Sequence, residues 1–298
     1  MTIKHFVDEV AHALQEHLGE HYIVDATTTI KNNSIELSGV RIRHEEDTIF
    51  PTIYLNDSFE LYMNNRISLS EIVIQAAESY RQSRKSIETL DPFDSTVFEN
   101  CRDKIVYRLI SQEQNREMLE KIPYIPFMDL AITFHVIVTI NPPSLHSLKI
   151  TNELQESWGI STQKLFQLAS DNTPRLMPSR IVNMQDMVGE VLPANCSEFD
   201  LTNEKKTDMI IITNTLGVNG AAVILYPGML ASLAKEYNTD FYVIPSSIHE
   251  VILVTTDDDS MMAEYRLLVH DVNDQFVDPE EILSDQVYYY QKDLKRIK

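Results

Sequence analysis

The sequence predicts an α+β fold: an N-terminal helix with a small antiparallel sheet and further helices, followed by a carboxy-terminal mixed sheet flanked by helices. Two observations lead to this class. Helical and β-type patterns occur in clusters, and they do not follow the regular strand–helix–strand order of a parallel α/β sheet. The chain has 298 residues, of which 43% are apolar, which suffices for one large or two modest domains with a sizeable core.

The N-terminal segment is predicted to form a helix and a three-stranded sheet. Apolar residues recur on one helical face over residues 1–19. Two β-type runs, 27–30 and 35–42, flank an Asn-Asn pair and predict a hairpin. A third run, 49–55, contains a proline, which cannot donate a hydrogen bond to a neighbouring strand. We therefore expect the third strand at an edge of the sheet.

Helices are predicted next in the chain. Ser68 and Glu71 have the spacing of a capping box and predict a helix over 68–85. A second helix is predicted over 97–110. The run 129–140, DLAITFHVIVTI, is rich in β-branched residues and predicts a strand.

The best candidate for a domain boundary is the segment NPPSLHSLK at 141–149, because its two prolines end the preceding strand. We divide the chain there into an N-terminal α+β region, 1–145, and a carboxy-terminal α+β region, 146–298. One continuous domain is the alternative.

The carboxy-terminal region begins with two helices whose first turns are capped by Thr151 and Ser161. A short helix is predicted to end near residue 237. Strands of the mixed sheet are predicted over 209–213, 221–226, 241–244 and 251–255.

A further helix is predicted over 261–272. Its apolar residues Leu267, Leu268 and Val272 are expected to face the core.

The last helix is predicted to begin at Asp278, because Asp at an N-cap followed by Pro279 is a typical helix start. It would carry Tyr288, Tyr289 and Tyr290. Three consecutive residues of a helix cannot all face inward, so part of their ring area would mark an interface for self-association.

Acidic residues dominate the charge of the chain, whose net charge is −20. Ten of them lie in the segment 257–285, against the single base Arg266. Phosphate backbones are bound by clustered Lys and Arg, so the composition disfavours nucleic acid as a partner. A basic protein is the partner that this acidic segment predicts.

Hydropathy and cysteine content indicate a soluble protein of a reducing cytoplasm. No apolar run approaches the roughly 20 residues that a membrane-spanning helix needs, and the N-terminus lacks the apolar region of a signal peptide. The two cysteines, Cys101 and Cys196, are far apart and lack metal-site spacing.

The stretch FYVIPSSIHEVILVTTDDD at 241–259 holds the strongest candidates for catalysis, namely Ser246, Ser247, His249 and Glu250. A zinc-protease motif is excluded because the second histidine is missing and the β-branched neighbours predict a strand. A serine-hydrolase site is disfavoured because no glycine follows Gly228, whereas a nucleophile elbow needs glycines. The alternative interpretation is a turn between two strands.

Two other groups of polar residues are weaker candidates. Asn172, Asn214 and Asn219 lie in or near predicted turns and could bind a ligand, although turn asparagines more often bond to backbone. Three consecutive acids could hold a divalent cation, but they lack the spacing of a calcium loop. These weak metal candidates are Asp257, Asp258 and Asp259. We predict neither a metal site nor a cofactor.

Several stretches of the sequence form a recognisable set when they are taken together. They are PTIYLN (51–56), KIVYRLI (104–110) with Asn115, IPYIPFMDLAITF (122–134), Trp158-Gly159, NTP (172–174), NGAA (219–222), FYVIPSSIHEVIL (241–253) and EEILSD (280–285). This set resembles a family of uncharacterised bacterial proteins, a domain of unknown function found chiefly in anaerobic Gram-positive bacteria. The resemblance covers nearly the whole chain in order. It implies a cytoplasmic bacterial protein, and it supplies no activity, cofactor or catalytic residue.

These observations favour a non-catalytic binding or interaction protein, because each catalytic motif fails at a required position. The alternative is a hydrolase-type enzyme with a Ser/His/Glu site around 246–250. Self-association through the predicted last helix is a third interpretation.

Overall fold

The structure is a computed structural model that describes residues 1–44, 51–88, 94–141, 144–184, 208–245 and 247–298. The chain forms two compact units, Met1–Phe93 and Asp94–Lys298. The division predicted near residue 145 stays a prediction about domain organisation. In the structure, the strand Leu130–Asn141 pairs with the strand Ser144–Lys149, which contains residue 145, and both belong to the second unit.

Among its described residues, the first unit contains three α-helices and a three-stranded antiparallel sheet in the order β1-β2-β3. The hairpin prediction is confirmed, and so is the position of the third strand at the edge. The elements are α1 (Ile3–Leu18), β1 (Tyr22–Ile30), β2 (Glu36–His44), β3 (Thr52–Tyr54), α2 (Asn56–Met63) and α3 (Leu69–Glu88).

Local sequence signals position the helices of this unit. The predicted capping box is present, since the Glu71 backbone N–H donates to Ser68 Oγ and the Ser68 backbone N–H donates to the Glu71 carboxylate. The apolar face of α1 meets α3 and the sheet in one buried cluster. Phe6, Leu14 and Tyr80 are among its largest side chains.

The second unit contains two antiparallel sheets and six helices among the described residues. Its first half comprises α4 (Phe98–Cys101), β4 (Ile105–Ser111), α5 (Arg116–Leu119), β5 (Tyr124–Phe127), β6 (Leu130–Asn141), β7 (Ser144–Lys149), α6 (Asn152–Trp158) and α7 (Thr162–Leu176). The long strand β6 pairs with β4, β5 and β7 to make a four-stranded sheet. Thr151 and Ser161 cap α6 and α7 as predicted.

The second half of this unit builds a six-stranded sheet in the order β13-β12-β10-β11-β9-β8. Its elements are β8 (Ser179–Asn183), β9 (Met209–Asn214), a 3₁₀ helix (Gly220–Leu225), α8 (Met229–Tyr237), β10 (Asp240–Ile244), β11 (Val251–Thr256), α9 (Met262–Phe276), β12 (Tyr288–Gln291) and β13 (Arg296–Ile297). The predicted α+β class is confirmed. The sheet was expected to be mixed, whereas each of its described strand pairs is antiparallel.

Two segments adopt a different secondary structure from the predicted one. The helix predicted over 97–110 is only the short α4, and β4 follows it, because nearly every side chain of IVYRLIS is buried and such a run suits a strand covered on both faces. The strand predicted over 221–226 is the 3₁₀ helix, which is almost wholly buried.

The helix α9 is present, but its predicted orientation is wrong. Leu267 is 70% exposed and Leu268 56% exposed, while Tyr265 and Val269 pack against the sheet. The ring of Tyr265 lies 5.0 Å from that of Tyr242, centroid to centroid. Both faces of the helix carry apolar residues, and the aromatic contact selects the inner one.

The predicted last helix is also wrong. Its tyrosines form β12 and are buried, so they offer no surface for self-association. The Tyr289 hydroxyl donates to Asp240 Oδ2 at 2.6 Å. Asp278 begins a single turn, in which Glu281 N–H donates to the Asp278 carbonyl, and then the chain bridges to Ser247 through Ile282. Within the described ranges, no helix has the length and apolar character to cross a membrane.

His135, on β6, makes the stability of the second unit dependent on pH. It is buried, and its Nε2 lies 3.5 Å from Thr133 Oγ1. Burial, and then the positive charges of Arg108 and Lys149, lower the pKa of His135 well below its ordinary value of about 6.5. The unfolded chain takes up this proton near its ordinary pKa and the folded chain does not. Stability is therefore lost as the pH falls below that value.

We expect His135→Phe to flatten the acid side of the stability profile. The free energy of unfolding of the natural chain should fall by up to about 1.4 kcal/mol per pH unit below about pH 6.5 through this residue, and the variant should lose that slope. The free energy of unfolding at each pH is measured by urea unfolding, followed by the fluorescence of Trp158, the single tryptophan. His146→Gln, at an exposed position on β7, is the control and should keep the slope. Equal slopes in all three proteins would contradict the assignment.

Candidate functional site

The segment singled out by the sequence is the connection between β10 and β11. These strands pair antiparallel, with Ile244 opposite Ile252, so the predicted strand–turn–strand is confirmed. Among the candidate residues, Ser246 lies outside the described residues. Ser247 is buried, and His249 is half-buried with 23% of its side chain exposed.

Both ring nitrogens of His249 have partners. Nδ1 accepts the backbone N–H of Asn219 at 3.3 Å, so it carries no proton. Nε2 then carries the ring hydrogen and donates to Glu281 Oε1 at 3.1 Å. The imidazole therefore connects the loop after β9 to the turn before β12.

The carboxylate beside His249 belongs to Glu281. Glu250 is half-buried and, in the described part of the chain, forms no ion pair with the ring. The Ser247 hydroxyl accepts the backbone N–H of His249 at 3.0 Å, which is a turn interaction. Among the described residues no serine hydroxyl bonds to the imidazole. Sequence reasoning missed Glu281, although the EEILSD stretch that contains it was noticed in the resemblance.

Backbone contacts reinforce this junction. Thr213 Oγ1 donates to the His249 carbonyl at 2.7 Å, and the Ala221 N–H donates to the Ile248 carbonyl at 3.1 Å. Gly220 lies against the groups of the first of these bonds. A Cβ on this residue would lie 2.4 Å from the His249 carbonyl oxygen and 2.1 Å from Thr213 Oγ1. Close approach of backbone to backbone is therefore the reason for glycine here.

The asparagine candidates satisfy backbone groups. Asn214 Nδ2 donates to the Val218 carbonyl, and its Oδ1 accepts the Leu216 N–H. Asn219 adopts φ 53°, a left-handed conformation that asparagine tolerates, and this places its N–H against His249.

Asn172 lies in α7, and its hydrogen bonds within the described residues are made away from the His249 junction. Its side chain donates to the carbonyls of Arg102 and Ile105, which attaches the helix to the start of β4. The sequence predicted a turn in or near this position, yet α7 continues through Pro174.

The three consecutive acids after β11 do not share one set of contacts. Asp259 pairs with Lys298 at 2.9 Å, and the hydrogen bond and charge of Lys298 lower the pKa of Asp259. Asp258 Oδ1 accepts the Ser260 N–H, a turn contact before α9. In the part of the chain that is described, no group of three or more His, Cys, Asp or Glu side chains is arranged to hold a metal ion.

The outer face of α9 is a second feature of interest, because its apolar residues were predicted to face the core. Leu268, Val272 and Phe276 follow one another at intervals of four residues, so they form one stripe along the helix. Phe276 is 79% exposed and Val272 37%. The exposed acids Glu264 and Asp271 lie one turn from Leu268, on either side of it. We call Leu267, Leu268, Val272, Phe276, Glu264 and Asp271 the outer face of α9.

Comparison with known proteins yields one match. Residues 3–292 match the model of a family of unknown function (DUF5688), which confirms the resemblance to a domain of unknown function. No curated protein and no solved structure matches the chain.

Gly220→Ala tests the junction around His249. The added methyl group meets backbone and a short side chain that cannot move away, so we expect unfolding to become easier by about 2 kcal/mol or more. Gly217→Ala, in the same loop, is the matched control: its Cβ meets nothing within 4 Å and only its φ of 66° is unfavourable, at about 1 kcal/mol. Urea unfolding, followed by the fluorescence of Trp158, compares the free energies of unfolding of the two variants. A Gly220 variant no less stable than the Gly217 variant would refute the close contact.

Proposed function

The chain belongs to DUF5688, a family of unknown function, and we propose that it is a non-catalytic binding protein that takes a basic, amphipathic segment of a partner protein on the outer face of α9. The observation that carries the proposal is the exposure of large apolar side chains on a helix whose opposite face is already packed.

The apolar stripe supplies the contact area. Exposed Leu and Phe residues arranged contiguously are costly in water, and such patches are typical of protein interaction sites. An amphipathic helix of a partner would lay its own apolar stripe along Leu268, Val272 and Phe276, which have the spacing that helix-in-groove recognition uses.

The charge around the stripe selects the partner. The segment 257–285 carries ten acids and one base. A second copy of this chain, with a net charge of −20, would bring like charges together. Lysine and arginine flanking the partner's apolar residues would instead meet Glu264 and Asp271, so the complementary occupant is basic.

The hydrogen bonding at His249 argues for a structural role and gives the hydrolase alternative no support. A general base needs a free ring nitrogen within reach of the nucleophile, whereas the nitrogens of His249 bond to Asn219 and Glu281.

We also place the protein in the reducing cytoplasm of a bacterium. The reducing compartment is supported by the low cysteine content and by the burial of Cys101, which raises the pKa of its thiol to about 11, and the bacterial origin rests on the family resemblance.

Leu268→Ser and Phe276→Ser test the binding surface. The probe is a fluorescent amphipathic helical peptide of leucine and lysine, titrated by anisotropy. Each substitution should weaken its binding about tenfold, because a central apolar contact is lost. Leu294→Ser removes an equally exposed leucine between β12 and β13, and should leave binding unchanged.

A second arm tests the charges. Glu264→Gln combined with Asp271→Asn should weaken peptide binding and reduce its dependence on salt. The proposal fails if the Leu294 variant loses as much affinity as the Leu268 variant, or if a scrambled peptide of the same composition binds equally well. It also fails if light scattering shows that the natural chain dimerises and Leu268→Ser restores a monomer.

A further inference from the structure

A separate cavity of about 440 Å³ lies in the second unit, among the turn between β5 and β6, the first half of α9, and β12. Its size is within the usual range for small-molecule sites. Its lining includes Met128, Asp129, Met262, Arg266, Val287 and Tyr288.

Asp129 supplies an anion that is held in place by hydroxyl groups. Its Oδ2 accepts the Ser284 hydroxyl at 2.6 Å, and its Oδ1 accepts the Tyr288 hydroxyl at 2.5 Å. Burial, and then the hydrogen bond to Asp129, raise the pKa of Tyr288, so this phenol stays a donor. No cation pairs with Asp129 within the described ranges. Each carboxylate oxygen retains a lone pair for a ligand.

Arg266 supplies a cation that forms no ion pair with any described residue. Lys298 also lines the cavity, but it is paired with Asp259. For Arg266, by contrast, the described residues offer no ion pair, and in particular none with Asp129. The cavity thus presents one uncompensated positive and one uncompensated negative group at different points of its wall.

The turn that carries Asp129 is in an unfavourable conformation. Met128 has φ 56°, in the left-handed region that costs a non-glycine residue about 1 kcal/mol. Strained residues of this kind concentrate where a structure has to present side chains to a ligand. Met128 joins Met262 and Val287 in the apolar part of the cavity lining.

We propose that this cavity binds a small zwitterion with an apolar body, of the amino acid class. Its carboxylate would pair with the guanidinium of Arg266, which suits a planar anion. Its ammonium would donate to Asp129, and its apolar part would lie against Met128, Met262 and Val287. This site is distinct from the outer face of α9 and does not depend on the function proposed above.

Calorimetric titration of the full chain tests the assignment. The probes are phenylalanine and aminohexanoate as zwitterions, with phenylpropionate and phenethylamine as analogues that keep only one of the charges. At least one zwitterion should bind about tenfold or more tightly than either analogue, because each analogue leaves one charged wall group unpaired.

Variants identify the groups responsible. Arg266→Gln should weaken zwitterion binding about tenfold or more, and Arg266→Lys should recover part of it. Arg180→Gln, an exposed arginine on β8, is the matched control and should bind as the natural chain does. Asp129→Asn keeps an acceptor for the hydroxyls while removing the charge. If circular dichroism shows that this variant does not fold, the phenylpropionate comparison tests the same charge.

Three results would overturn the proposal: no binding of either zwitterion at millimolar concentration, phenylpropionate or phenethylamine binding as tightly as the zwitterions, or undiminished binding to Arg266→Gln. Leu268→Ser should leave zwitterion binding intact, so failure of the peptide site and failure of the cavity are distinguishable.

Discussion

The imidazole of His249, held between the Asn219 N–H and the Glu281 carboxylate, is the interaction on which the second half of the larger unit depends. It joins the loop after β9, the β10–β11 turn and the connection from α9 to β12. The backbone bond from Ile248 N–H to the Glu281 carbonyl and the bridge between Ser247 and Ile282 act in the same place. A residue with catalytic appearance in the sequence is therefore a connector between three segments.

This junction explains why α9 is held with one face open. The helix is anchored at its start, where the Met261 N–H donates to the Tyr242 hydroxyl, and near its end, where Asn273 donates to the Ser284 carbonyl. With both ends attached, only the Tyr265 side of the helix reaches the sheet. The same connection delivers β12 to its place beside β10 and brings Tyr288 to Asp129. The exposure of the outer face of α9 and the position of the charged cavity both result from these attachments of α9 and of the connection to β12.

Local signals in the sequence predicted much of the fold. The Asn-Asn hairpin, the caps at Ser68, Thr151 and Ser161, and the β10–β11 pair were confirmed, because each depends on residues close together in the chain. The partner of His249 could not be predicted from such local signals, because Glu281 is distant in the sequence and Glu250 is the nearer acid. The orientation of α9 was predicted wrongly because both faces of this helix carry apolar residues. Asp278 and Pro279 resemble a helix start, but tertiary pairing of Ile282 with Ser247 stops the turn there.

The central claim is that His249 is a structural connector whose nitrogens are both engaged. Nitrogen NMR of the labelled imidazole near neutral pH tests it most directly. We expect Nε2, and not Nδ1, to carry the ring hydrogen that the geometry requires, and we expect this to be unchanged by Ser247→Ala, because the serine hydroxyl bonds to the backbone and not to the ring. A hydrogen on Nδ1, or a ring spectrum that shifts to the other tautomer when Ser247 is replaced, would contradict the claim and restore a Ser–His pair.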